Sequence, residues 1–140
     1  VSSAEAAVQT ALDIAKIPFV PERQTLASDV AALALIFGKV MNTGHVRIRL
    51  DVLDKVMFPK FHLDNVPARL LCTYRGAGTE YVPDVHLADN KRIRTMRTGA
   101  AGLFRGATWA SEEQTGLLHR SPAVEPGTGP RMLLVIDAGV

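Results

Sequence analysis

The sequence is poor in the features that announce a secreted, membrane-bound or nucleic-acid-binding protein. It has one cysteine, Cys72, in 140 residues. A single thiol cannot close an internal disulfide, and one set in an apolar stretch fits a reducing compartment, so the chain is read as cytoplasmic. The longest apolar run, Val30 to Phe37, falls well short of the roughly 20 residues that a membrane-spanning helix needs and reads as a core helix. Basic residues never run beyond a pair, and 16 Lys and Arg against 14 Asp and Glu leave a net charge of +2, so no nucleic-acid footprint is expected. The opening VSSAEAAVQT has neither a basic start nor a continuous apolar stretch, so it is not expected to be a signal peptide. Because the chain opens on Val1 rather than methionine, part of the natural N-terminus is expected to be missing. No internal repeat or low-complexity tract is visible.

What is present is enough apolar residue, 47%, for one buried core, and the length suits a single domain overall. Residues 1–44 read as helical. Val8, Leu12 and Ala15 recur at helical spacing, and Pro18 and Pro21 end that pattern, so a first helix stops near Lys16. A second carries Leu26, Val30, Leu33, Phe37 and Val40 on one face, with Ser28 and Asp29 near its start and a stop at Asn42 to Gly44. From His45 the period changes to two, with Val46, Ile48, Leu50 and Val52 alternating with Arg47, Arg49 and Asp51.

Further strands are expected at Lys60 to Leu63, Arg69 to Arg75, Glu80 to Val82, Ile93 to Arg97, Gly102 to Phe104, Leu117 to Arg120 and Met132 to Asp137. Turn residues punctuate them, including Arg75 to Gly78, Thr98-Gly99, Arg105-Gly106 and Pro126 to Pro130. Many short strands at this spacing favour a sandwich or barrel over a parallel sheet with interleaved helices. The expectation is a mainly β domain over 45–140, with the 1–44 helical segment packed on its outside.

Two of the four histidines sit where a metal ligand would. One residue separates His62 from Asp64, so on extended chain both side chains project to one side and Leu63 to the other. His119 lies 55 positions after Asp64, where an apolar strand meets a turn. A strand returning beside the first would add it as the third member of a two-histidine, one-carboxylate face, which leaves other metal positions open. His-x-Asp by itself is a common pairing of a surface histidine with a turn aspartate.

The order of the whole set says more: His62 and Asp64 after the first long strand, then Gly102-Leu-Phe-Arg-Gly106, then His119, then Arg131 opening the last strand. It resembles the double-stranded β-helix (jelly-roll or cupin-like) of the Fe(II)/2-oxoglutarate-dependent oxygenases. That resemblance implies iron at His62, Asp64 and His119, and an arginine, here Arg131 at 12 positions after His119, that pairs with the far carboxylate of 2-oxoglutarate. A guanidinium suits that task because it grips a carboxylate through two parallel hydrogen bonds. Three segments, KFHLDNVPARLLCTYRGAGTEYVPD (60–84), TGAAGLFRGATW (98–109) and LLHRSPAVEPGTGPRMLLVID (117–137), resemble the bacterial family DUF1826, which has no established activity. They span the last two thirds of the chain.

Other residues have plainer readings. His45 opens a strand beside Arg47 and Arg49 and reads as a solvated face; His86, in PDVHLADN, reads as a loop histidine. Cys72, in RLLCTY, reads as a small core residue, although with His62 and His119 it would suit zinc. Arg69 and Arg75 point opposite to Cys72 and could meet an acidic ligand, ordinary surface pairing being the simpler account. Tyr74 is a candidate hydrogen-bond donor to a cosubstrate carboxylate, and Trp109 an apolar lid or edge residue. Three functions follow: a 2-oxoglutarate oxygenase acting with a small-molecule cosubstrate on an unknown substrate, a zinc-binding or cupin-like metal protein without oxygenase activity, and a structural β domain whose site has lapsed.

Overall fold

Two prolines keep the helices apart. In the computed structural model, which describes residues 2–55, 59–111, 116–124, 127 and 129–139, helix α1 spans Ser2–Ile14 and helix α2 spans Pro21–Val40. The chain leaves α1 through Lys16 at φ 58°. Pro21 opens α2 rather than ending anything, because its fixed φ suits the first turn and its missing N–H is not needed there. The second helix therefore begins well before Ser28 and Asp29.

Its buried face is also rotated from the expected one. Arg23, Ala27, Val30, Ala31, Ala34 and Phe37 are buried, whereas Val40 is 55% exposed. Small alanines let a neighbouring element approach more closely than a row of leucines would. Arg23 is buried because α1 and the linker satisfy it: its guanidinium donates to the Gln9 side chain and carbonyl, the Ile17 carbonyl and Asp13. Asn42, at φ 50°, takes the left-handed conformation expected just past the helix end.

The helices belong to one unit, and a second unit spans Arg47–Asp137, the chain passing between them at Val46 and again at Ala138. Seven strands follow α2: β1 Val46–Leu53, β2 Ala68–Arg75, β3 Glu80–Pro83, β4 Arg94–Thr95, β5 Ala101–Arg105, β6 Leu117–Arg120 and β7 Arg131–Ala138. They form a four-stranded sheet in the order β1-β7-β2-β5 and a three-stranded sheet in the order β4-β3-β6. Strand β2 runs antiparallel to β5 and β7, and β3 antiparallel to β4 and β6. The architecture is mainly β, with two helices at the N-terminal end, as the change of period at His45 predicts.

Two expected strands shrink. Lys60 to Leu63 contributes one bridge, His62 to His119, and Ile93 to Arg97 contributes only β4, because single 3-10 turns at Asp84–His86 and Asn90–Arg92 occupy the chain before it. The turn expected at Pro126 to Pro130 lies partly outside the described residues; Gly127 and Gly129 within it both have positive φ. Among the described residues no helix is long and apolar enough to cross a membrane.

A core lies between the two sheets. Leu71, Phe104, Leu133 and Val135 of the larger sheet pack with Leu53, Tyr81, Met96 and Leu117. Alternation along β2 and β7 puts Arg69, Leu71 and Thr73, and Arg131, Leu133, Val135 and Asp137, on this inner side. Leu70, Cys72, Leu134 and Ile136 occupy the opposite face of the larger sheet and are fully buried. That parity removes Cys72 from any ligand set on the inner side.

Candidate metal centre

The bridge between His62 and His119 is the first element of the site. The amide of each donates to the carbonyl of the other, at 3.0 and 3.1 Å, so two histidines 57 positions apart become direct cross-strand neighbours with ring centroids 4.6 Å apart. Side chains opposite each other across a strand pair share a face. Asp64, two residues beyond His62, joins that face.

A backbone clamp holds Asp64 in place. Ala107 donates to the Asp64 carbonyl at 2.8 Å, and Gly106 donates to the Pro67 carbonyl at 2.9 Å. The approach is so close that a Cβ on Gly106 would lie 1.9 Å from the Val66 oxygen and 2.7 Å from that of Asp64. Only glycine fits there. The Gly that ends Gly102-Leu-Phe-Arg-Gly106 thus fixes the loop that carries the carboxylate.

The donor atoms of His62, Asp64 and His119 all lie within 4.8 Å of one another. Nδ1 of His62 stands 2.7 Å from the Lys60 carbonyl, to which it can only donate, and that contact turns Nε2 toward Asp64 Oδ1, 3.5 Å away. Nε2 of His119 lies 3.0 Å from Asp64 Oδ2, but without hydrogen-bond geometry: Oδ2 is buried and has no hydrogen-bond partner among the described residues. A buried carboxylate oxygen in that state is costly unless something else satisfies it. Two imidazoles and a carboxylate that converge in this way could hold one divalent cation. Nδ1 of His119 also has no partner among the described residues, so the acceptor expected behind each ligating ring is present for His62 alone.

Burial pushes the Asp64 carboxyl upward, but the His119 contact, together with the charges of His119, Arg69 and His62, outweighs it and holds the group below its ordinary value. Arg69 is the surprise of the site. Its Nη1 lies 3.0 Å from Asp64 Oδ1, and its Nε and Nη2 grip Asp137 at 2.8 and 2.9 Å. Alternation along β2 places Arg69 on this face, and its cross-strand partner Asp137 reads in the sequence only as the polar end of an apolar strand.

Arg131 lines the same cavity of about 340 Å³ as His62, Asp64, Arg69 and His119. It is 95% buried, since its relative exposure is 5%. Nε donates to the Ala77 carbonyl at 2.7 Å, and Nη2 donates to the hydroxyls of Thr73 and Thr79 at 3.0 and 2.9 Å. Among the described residues no carboxylate pairs with the group, and burial lowers its affinity for its proton. Thr73 and Thr79 are functional neighbours that carry no signal in the sequence.

Tyr74 is not among the residues lining the cavity. Register shifts between Thr73 and Arg75, so Tyr74 is the extra residue of a β-bulge, one step past the last inward side chain of β2. His45, Cys72, Arg75, His86 and Trp109 are likewise absent from the lining; Trp109 stacks on the Arg105 guanidinium.

No curated protein matches the chain. Among solved structures, it is similar to a dioxygenase for auxin oxidation from Arabidopsis thaliana, determined with 2-oxoglutarate: TM-score 0.53 and 12% identity over 97% of this chain and 59% of that one. At that identity the likeness is one of fold, and the present chain spans about three fifths of that protein's length. An RmlC-like cupin protein from Desulfovibrio desulfuricans gives a TM-score of 0.37 at 17% identity over 68% of this chain and 74% of that one, too low a score to compare folds. The profile of DUF1826, proteins of unknown function, matches residues 1–137, so the helical first third belongs to the match as well. By that match the chain belongs to the DUF1826 family.

Proposed function

We propose that this chain is a metal-dependent protein of the double-stranded β-helix type, in which His62, Asp64 and His119 hold one iron(II) ion and Arg131 binds 2-oxoglutarate. The observation that carries the reading is the pairing of opposites in one cavity. Among the described residues, three ligand atoms lie within 4.8 Å of one another with an unsatisfied carboxylate oxygen among them, and the same cavity holds a buried arginine with no carboxylate partner. The first set suits a cation, the second a carboxylate.

When bound, iron(II) and 2-oxoglutarate would supply the oxidising chemistry of that oxygenase class. The chain's own residues bind and orient. Lys60 fixes the His62 tautomer, Gly106 clamps the Asp64 loop, and Thr73 and Thr79 aim the Arg131 guanidinium. Leu71, Leu133 and Val135 form an apolar floor that excludes water and strengthens charge pairing above it. The lone buried thiol of Cys72 supports a cytoplasmic home for the protein.

The donor set alone serves zinc equally well, which keeps a metal protein without oxygenase activity as the alternative. Arg131 separates the two. Elemental analysis of anaerobically purified protein should find one divalent ion per chain, and 2-oxoglutarate should raise the melting temperature of the parent. A ligand that binds only the folded state must stabilise it. Metal binding without any response to 2-oxoglutarate would reject the oxygenase and leave the zinc-type account.

A further inference from the structure

Asp64 meets a guanidinium at one of its two oxygens. Its Oδ1 faces Arg69 Nη1 at 3.0 Å, whereas Oδ2 faces His119 and has no hydrogen-bond partner among the described residues. Arg69 is not free to swing. It sits directly across from Asp137 in the β2–β7 register, and the Nε/Nη2 edge of its planar guanidinium is occupied by both oxygens of that carboxylate. With that edge taken, the remaining nitrogen, Nη1, lies 3.0 Å from Oδ1 of Asp64.

We propose that Arg69, braced by Asp137, is a positioning residue that occupies Oδ1 of Asp64, so the carboxylate meets a divalent ion through Oδ2 alone. The proposal rests on the metal reading of His62, Asp64 and His119 and adds to it the mode of carboxylate attachment. A carboxylate free at both oxygens can clasp an ion with two bonds and use up a position. One held at Oδ1 by a cation spends a single position and leaves the rest of the ion's surface to small molecules. The brace has a further consequence. Asp137 and Asp64 share one guanidinium between them, so the carboxylate's orientation is tied to strands β2 and β7 as well as to the loop that carries it.

The test uses cobalt(II) as the probe, because its visible absorption reports coordination number and geometry. The parent chain, Arg69→Gln, Arg69→Lys and Asp137→Asn are titrated with cobalt(II) against a competing chelator, and their melting curves are recorded. The parent is expected to take up one equivalent. Arg69→Gln is expected to bind about 10- to 100-fold more weakly, the usual cost of losing a partner that orients a metal ligand, and to give a different spectrum. Arg69→Lys should recover part of the affinity, since one ammonium can neutralise Asp64 but cannot grip both carboxylates. Asp137→Asn should shift the spectrum in the same direction as Arg69→Gln, by less.

If folded Arg69→Gln and Asp137→Asn bind cobalt(II) with the parent's affinity and spectrum, the pair is merely structural and the proposal is overturned, whatever happens to the melting temperature. Should Arg69→Gln not fold, Asp137→Asn decides by the same two readouts. A parent that binds no cobalt(II) overturns the metal reading itself, and the positioning role with it.

Discussion

The two charged groups of the cavity are kept in opposite ways. Asp64 is surrounded by positive or proton-bearing partners, His62, His119 and Arg69, yet one of its oxygens is left unsatisfied. Arg131, on the same cavity, donates to neutral oxygens among the described residues, those of Ala77, Thr73 and Thr79. A buried charge is normally matched by its opposite. Among the described residues the carboxylate stands amid several cations or proton donors with one oxygen unsatisfied, and the guanidinium is held by neutral acceptors, a contrast that the proposed cation and anion would each relieve.

Asp64→Ala breaks the first half of that contrast most severely. It should abolish stoichiometric divalent metal in the purified protein, measured by elemental analysis, and with it any stabilisation by 2-oxoglutarate. Arg131→Met breaks the other half alone: metal content should remain near the parent's while the rise in melting temperature with 2-oxoglutarate disappears. At a concentration 100 times its dissociation constant, a ligand contributes about 2.7 kcal/mol to the parent, so the lost shift is several degrees. If the arginine variant still responds, the two halves are not separate sites.

Smaller changes sharpen the comparison. Thr79→Val keeps the shape of the Arg131 cradle but removes one of its acceptors, and should cost about 1.5–3 kcal/mol in urea unfolding, the range for hydrogen bonds to charged groups. Gly106→Ala acts on the other half through backbone alone. The new methyl has to displace the Val66 carbonyl, so a loss of about 1–3 kcal/mol is expected, with weaker metal uptake because the Asp64 loop moves. An alanine variant with the parent's stability and metal affinity would show that the clamp at Gly106 does not hold the carboxylate.

The smallest effect is one of pH. Because Asp64 is held below its ordinary value in the folded chain, its contribution to stability is complete above the ordinary aspartate range and is lost as pH falls through the lowered value. In metal-free buffer the parent's urea midpoint should therefore fall more steeply on acidification than that of Asp64→Asn. Parallel curves would mean that the cations around Asp64 do not favour its charged form.

Much of the site was legible in the chain because it depends on local periodicity. The two-residue repeat put His62 and Asp64 on one side of an extended segment and Arg69 opposite Cys72, and the structure follows that parity. Tyr74 shares the parity of Cys72, so the same alternation turns it away from the inner face, and the bulge after Thr73 ends that alternation at this point. The helical face failed for a different reason: counting large apolar residues favoured Leu33 and Val40, whereas burial follows the alanines and Arg23, whose cost is met by acceptors on another helix.

The sequence by itself determined the mainly β character after His45 and singled out His62, Asp64, His119 and Arg131 as candidates, since these follow from side-chain chemistry and from alternation along single strands. Only the tertiary structure decided that His62 and His119 are bridged neighbours, that Gly106 clamps Asp64, that Thr73 and Thr79 cradle Arg131 and that Asp137 holds Arg69 against the carboxylate. Each of those contacts joins residues from separate segments of the chain. Strand order and register create them, and no local pattern encodes which distant strand will lie alongside.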